Sequence, residues 1–320
     1  MNSPRQTRVQ DLPLTAAIAF MRRFRGALES GVELPIALST AAAGLPRSSR
    51  AKVERAVERL GGDYEEDEWG FDEEFTEAAF PFFEFMYDRW WRTRAKGVNN
   101  VPGHGRALLV ANHAGVVPWD ATMIGVALLR NHPLPRYPRF LVLNWAFELP
   151  YASVLLRKVG GVPASQHNAR HLLEEDQLVA VFPEGVKGAG KDYSQRYRLQ
   201  RFGRGGYVEL AIATGAPLVP VAVVGSEEIY PKLGENRLLA RLSGAPYFPL
   251  TPLFPWLGPL GAVPLPSKWR IEFCEAIPTA HYGPDRANDQ RLVLELSERV
   301  QETIQQKLYE NLVERGSAFV

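Results

Sequence analysis

The sequence predicts an α/β fold: a sheet covered by helices on both faces, with a helical extension ahead of it and a long helix behind it. Three observations carry this. From about residue 105, short apolar runs alternate with segments of helical periodicity. The runs are apolar at successive positions, the pattern of strands buried on both faces. Before residue 70 and after residue 285 the periodicity is helical alone. The chain has 320 residues and is 46% hydrophobic, with a single cysteine. That is enough apolar surface for a large core and excludes a disordered tail or a disulfide scaffold.

Residues 1–70 form the extension. Ser48-Ser49 can cap a helix in which Val53, Val57 and Leu60 recur at helical spacing. Every charged residue between Arg59 and Arg89 is acidic, with Glu65-Glu66-Asp67-Glu68 and Asp72-Glu73-Glu74 at the centre, and such a run reads as a solvated surface loop. A helix over about 73–92 follows. Phe75, Ala79, Phe82, Met86 and Trp90 form one row and Phe80, Phe83, Tyr87 and Trp91 the next, with Pro81 marking a start or kink. This face can pack on the core or lie at a membrane interface, where Trp beside Arg suits the headgroup level.

The main domain spans 71–285. Its strands are Ala107–Val110, Phe140–Leu143, Leu178–Phe182 and Leu218–Val224, and its helices fall at about 120–130, 151–158, 167–175 and 205–214. Pro217 and Pro220 suggest an edge or terminal place for the last strand. The uncharged stretch between Arg241 and Lys268 holds prolines at 246, 249, 252, 255, 259, 264 and 266, which exclude a spanning helix. It reads as an apolar loop lying on protein or dipping into a bilayer surface. Trp269 to Cys274 alternates like a strand, so Cys274 reads as a core residue. Residues 286–320 form the closing helix, capped by Asp285 or Asn288 and striped by Leu296, Val300, Ile304, Leu308 and Leu312.

Two segments carry chemistry. Asn112-His113-Ala114-Gly115-Val116-Val117-Pro118-Trp119-Asp120 follows a buried strand, so His113 emerges at a strand's carboxyl end and Gly115 and Pro118 shape a turn that returns Asp120 towards it. A histidine bonded to a carboxylate through one nitrogen keeps the other free to accept a proton. The same pair could be a structural contact or two of three metal ligands. Val181-Phe182-Pro183-Glu184-Gly185-Val186-Lys187 also ends a strand and puts a carboxylate at the sheet's ligand crevice. Basic residues Lys187, Lys191, Arg196, Arg198, Arg201 and Arg204 then face only Asp192. Gly185 to Lys191 also matches Gly-x4-Gly-Lys, but Asp192 stands where a nucleotide loop needs Ser or Thr. No Gly-x-Ser-x-Gly elbow supplies a hydrolase nucleophile.

From about Gly97 to Ser226 these blocks, with Leu156 to Pro163, Arg201 to Gly206 and the Val219-Pro220-Val221 strand, resemble the PlsC-like glycerolipid and lysophospholipid acyltransferase family. The resemblance implies that family's mixed sheet and a transfer of a fatty acyl group from acyl-CoA or acyl carrier protein to a lysophospholipid or acylglycerol. His113 would be the general base and Asp120 its orienter. Glu184, Gly185 and Lys187, with Lys158 and Arg204, would bind the acceptor. No metal and no cofactor is implied. Two departures stand out: six residues separate His113 from Asp120 where the family has four, and Val186-Lys187 replaces Thr-Arg, which weakens bidentate phosphate binding and opens the acceptor to neutral acylglycerols. A net charge of +1 argues against a nucleic-acid partner. The opening residues read as free of a secretory signal, which points to the cytoplasmic face of a membrane, with peripheral or monotopic attachment.

Overall fold

The computed structural model describes residues 14–58, 66–115, 117–148, 152–243 and 247–319. The opening eight residues, Leu60, Glu65, Val116 and Pro246 lie outside them. Helices α1 (Leu14–Glu29), α2 (Leu34–Ala42) and α3 (Arg47–Glu58) form the extension. Helix α3 begins at Arg47 behind Pro46, so Ser48-Ser49 fall within its first turn and do not cap it.

The strands are β1 (Arg94–Lys96), β2 (Ala107–Ala111), β3 (Arg139–Val142), β4 (Gly161–Pro163), β5 (Leu178–Val181), β6 (Leu218–Val224), β7 (Gly234–Glu235), β8 (Pro249–Leu250) and β9 (Arg270–Phe273). Seven form one sheet in the order β1-β9-β6-β2-β5-β3-β4; β7 and β8 pair separately. All neighbours in the large sheet run parallel except β6 and β9, which makes it mixed.

Side chains alternate between the two faces of this sheet, and each face carries its own core. Leu109, Ala180, Val219, Val221 and Val223 pack with Phe85, Tyr87 and Trp91 from the aromatic segment and with Met123 and Ile124 of α5 (Trp119–Asn131). The remaining helices are α6 (Asn144–Glu148), α7 (Ala152–Lys158), α8 (Gln166–Glu174), α9 (Gly185–Ala189), α10 (Gly206–Thr214), α11 (Arg237–Ser243) and α12 (Gln290–Arg315), with α4 (Glu73–Phe85) ahead of the sheet. On the opposite face Leu108, Val110, Val179, Leu218 and Val224 meet Leu172 of α8, Ile212 of α10 and Val300 and Ile304 of α12. The α12 stripe is buried as its spacing requires, but the cap is Asp289, whose Oδ1 accepts from Arg291 N–H and Leu292 N–H. Cys274 is buried, and burial pushes its thiol up to about 12.

Three expectations change. Strand β6 is interior, between β9 and β2, and buried throughout. Pro220 is tolerated because it faces Cys274 just past β9, whose N–H its carbonyl accepts at 2.8 Å; a residue's N and O point to the same side of a strand, so the missing donor falls at the break between the β6–β9 ladder and the Leu218–Ile277 bridge. The aromatic segment is mainly a core element: α4 runs through Pro81 into a π-turn at Met86–Trp90, Trp91 is fully buried, and the indoles of Trp90 and Trp91 donate to the carbonyls of Pro264 and Leu265.

The acidic run is not simply a solvated loop. Asp67 pairs with buried Arg139, and Lys158 Nζ donates to Glu66 at 2.8 Å and to buried Asp72 at 3.1 Å. The acidic side chains therefore neutralise two cations inside the protein. This also corrects the acceptor role expected of Lys158: burial disfavours its charge, the two carboxylates more than restore it, and its pKa stands above the ordinary value. Its ammonium is committed to the fold. Removing it would leave Asp72 charged and buried, so Lys158→Ala is expected to lower the unfolding free energy by about 3 kcal/mol. Chemical denaturation measures that loss.

Candidate active site

Strands β6, β2 and β5 are parallel neighbours, so the segments leaving their carboxyl ends meet on one edge of the sheet. Such an edge is where open α/β sheets build ligand sites. From β2 come Asn112 and His113, from β5 Phe182 to Glu184, and from β6 Gly225 to Glu227.

Asn112 is fully buried and behaves as an extra strand residue: its Nδ2 donates to Val223 O at 2.9 Å and its Oδ1 accepts from Val223 N–H at 2.8 Å. This clamps the end of β2 to β6. One residue on, the His113 N–H donates to Glu184 Oε1 at 3.1 Å. The chain then turns at Gly115, in the left-handed region at φ +77°, with its N–H on Ala189 O. Pro118 precedes α5, and Asp120 falls in its first turn. The six-residue spacing therefore closes into a contact, with His113 Nδ1 2.7 Å from Asp120 Oδ2.

The Asp120 carboxylate has no side-chain exposure and is saturated with donors. Oδ2 also accepts from Ala114 N–H at 3.0 Å and Oδ1 from Ala121 N–H at 2.8 Å. The helix N-terminus adds favourable potential for the negative charge. The Phe182 ring packs on the imidazole at 4.8 Å between centroids. Burial opposes a charge on His113, but the Asp120 carboxylate outweighs it and Glu184 reinforces it, so the imidazole pKa stands above its ordinary 6.5. With Nδ1 held by Asp120, Nε2 is the nitrogen that can meet a substrate.

Beside this pair lies a cavity of about 300 Å³. Ala114, Gly115 and Val117 form one wall; Tyr230, Tyr247, Phe248, Phe254 and Ala262 form another. The proline-rich stretch therefore lies on protein, as one side of a largely apolar chamber. Two lysines reach the lining, each with carboxylate partners. Lys191 lies within 3.2 Å of Glu184 and 2.9 Å of Glu227, and Lys232 within 3.4 Å of Asp192 and 3.1 Å of Glu235. Glu227 is pushed up to about 7 by burial, against the pull of Lys191.

The structure brings His113, Asp120 and Glu184 together. Glu184, expected to hold an acceptor, instead turns its buried carboxylate to the main chain of His113 and of Gln200, whose N–H lies 2.7 Å from Oε2. Gly185 opens α9 at φ +55° and Lys187 is exposed on it, outside the cavity lining. Arg204 is exposed ahead of α10, and Lys158 lies in the acidic cluster. Lys191, read as part of the basic strip and as a nucleotide-loop lysine, is buried in ion pairs. Glu227 went unread, although a charged residue just after an apolar strand is the same signal that singled out Glu184. Glu68, His171 and Glu175 bring ligand atoms within 4.8 Å of one another, but they lie at the surface, with the two carboxylates 2.7 and 3.5 Å from His171 Nε2.

A model of the family described as Acyltransferase matches residues 92–224. An uncharacterised protein of Mycobacterium tuberculosis is 51% identical over 263 residues, covering 82% of this chain and 74% of that protein. One of Mycobacterium leprae is 51% identical over the same length, 72% of its own. More distantly, a human protein named DGAT1/2-independent enzyme synthesizing storage lipids is 24% identical over 165 residues, 52% of this chain and 50% of that one. Among solved structures, the 1-acyl-sn-glycerophosphate acyltransferase PlsC of Thermotoga maritima shares the fold with a TM-score of 0.51 and 17% identity, covering 95% of this chain and 98% of that chain.

The His113 imidazole is expected to lose its proton with a midpoint above 6.5. In Asp120→Asn the main support for the imidazolium is gone, so that midpoint should fall below the wild-type one. Carbon-13 histidine labelling read by NMR in both proteins checks this.

Proposed function

The chain belongs to the PlsC-like acyltransferase family, and on that premise we propose that it moves a fatty acyl group from a thioester donor, acyl-CoA or acyl carrier protein, to a glycerolipid hydroxyl. The observation that carries the reading is the 2.7 Å bond from buried Asp120 to His113 Nδ1, next in the chain to Ala114 in the wall of an apolar cavity. In the proposed step, His113 Nε2 takes the hydroxyl proton as the oxygen attacks the thioester carbonyl. A C–O bond forms, the C–S bond breaks, and the departing thiolate collects the proton from the imidazolium. Asp120 keeps the ring in the required tautomer and supports its charge.

For the acceptor, two readings differ by a charge. A lysophospholipid brings a phosphate; a mono- or diacylglycerol does not. Neutral acceptors are supported by the largely apolar lining of the cavity, whose two lysines are matched by carboxylates and whose Arg196 lies against the Tyr193 ring. The distant relatives named for storage-lipid synthesis support the same choice.

Lipid acceptors imply a membrane surface as partner. Among the described residues no helix is long and apolar enough to cross a membrane. Peripheral contact through the proline-rich segment is supported by Trp256, 74% exposed, and its exposed neighbour Leu257, on the stretch that also walls the cavity.

Purified protein given radiolabelled acyl-CoA or acyl carrier protein and a panel of lysophosphatidate, other lysophospholipids, monoacylglycerol and diacylglycerol should label an acylglycerol. His113→Ala should keep the fold by circular dichroism and lose roughly 10²–10⁴-fold in kcat; unchanged transfer would overturn the base assignment. In vesicle co-sedimentation, Trp256→Ser with Leu257→Ser should shift most of the bound protein to the supernatant.

A further inference from the structure

We propose that Lys191 is a positioning residue for His113, acting through Glu184, and that Glu227 completes the charge balance of this buried unit. The inference rests on the reading of His113 as the base.

The geometry runs in one connected path. His113 donates its main-chain N–H to Glu184 Oε1 at 3.1 Å. Glu184 Oε2 lies 3.2 Å from Lys191 Nζ, and Lys191 reaches Glu227 Oε1 at 2.9 Å. Glu227 Oε2 in turn accepts from Tyr197 N–H at 3.0 Å. The side chains of Glu184, Lys191 and Glu227 are 0%, 3% and 5% exposed, so water does little to screen them. Gly188 packs onto this unit: a Cβ at that position would stand 2.4 Å from Glu184 Cβ. The Glu184 rotamer is thereby held from behind as well as by its hydrogen bonds.

Two carboxylates and one ammonium buried together make an odd number of charges. A lone buried carboxylate next to His113 would pull a proton onto the imidazole and keep the base occupied. Lys191 opposes this, since its charge works against that of the imidazolium while Glu184 favours it. The unit thus has two effects on one residue. Glu184 fixes where the His113 main chain sits, and Lys191 limits the electrostatic cost of using a carboxylate for the purpose.

Other groups around His113 are accounted for. Asp120 on α5 bonds its Nδ1. From the cavity wall, the Tyr247 hydroxyl donates to Ala189 O, and burial raises it well above its usual range, so it stays neutral; burial likewise lifts Tyr230 to about 12. Within the unit, Glu227, pushed up to about 7 by burial, titrates near the ordinary imidazole range, and Glu227→Gln removes it from the profile.

The test is a pair of variants with opposite expected signs. Glu184→Gln removes a negative neighbour, so the midpoint of the kcat/KM profile should fall by about one pH unit; Lys191→Met combined with Glu227→Gln removes the cation while leaving Glu184, so it should rise by about one unit. Lys191→Arg should restore the wild-type midpoint. Carbon-13 histidine labelling read by NMR follows the His113 titration directly, in folded protein and independently of turnover. Movement in the same direction for both variants, or no movement in either titration, would overturn the proposal. If His113→Ala retains transfer, the base reading itself fails. If His113→Ala is inactive and the midpoints stay in place, only the role of Lys191 fails.

Discussion

Glu184 lies at the carboxyl edge of the sheet with no side-chain exposure, and a carboxylate in that position must be matched by donors or it costs several kcal/mol. Its partners come from three places: His113 N–H at the end of β2, Gln200 N–H in the loop before α10, and Lys191 just beyond α9. Satisfying one buried charge therefore brings three separate segments to one point. With the Asn112 clamp onto Val223, it leaves the His113 main chain little freedom, the constraint that the proposed role of His113 as base requires.

The same economy explains the cavity. An acyl chain needs an apolar wall, yet the strand ends deliver polar main chain and charged side chains. The proline-rich segment supplies the wall with no more than a short 3-10 turn at Gly258–Ala262: Tyr247, Phe248 and Phe254 project from it, and β8 is tied to β7 by a short antiparallel pairing. The two lysines that reach the lining are paired with carboxylates and Arg196 lies against the Tyr193 ring, so the lining is mainly apolar surface. Burial of hydrocarbon contributes in proportion to the area removed from water. A chamber of this kind therefore favours lipid chains over polar metabolites before any specific contact is made.

Much of this was legible in the sequence because apolar runs report burial directly. Strands β2, β3, β5 and β6 and the main helices read correctly, since a run such as Leu218 to Val224 can only lie between two covered faces. Strands β1 and β4 have three residues each, too few for a period to show. Pro220 misled because the edge rule concerns the missing donor, and where that donor would point depends on the length of β9, a property of another segment. His113 and Asp120 were readable as neighbours across a turn. Whether Glu184 faced a ligand or a main-chain amide was not, because the residue type is the same in both cases and only the third dimension supplies the Lys191 ammonium beside it.

The basic strip at 187–204 shows how far charge counting carries. In sequence, six cations face one acid, which reads as a surface for an anionic acceptor. In three dimensions Lys191 is withdrawn into the protein by Glu184 and Glu227, and the Arg196 guanidinium lies 4.3 Å from the centroid of the Tyr193 ring at the cavity lining. Lys187 and Arg204 remain at the surface, outside the lining. Exposed cations in water attract anions weakly and are screened by salt over roughly 8 Å at physiological ionic strength. Such charges can draw a protein towards an anionic membrane, but they cannot select a phosphate at the reacting hydroxyl. The chamber's own lining holds Lys191 and Lys232 in carboxylate pairs and Arg196 against the Tyr193 ring.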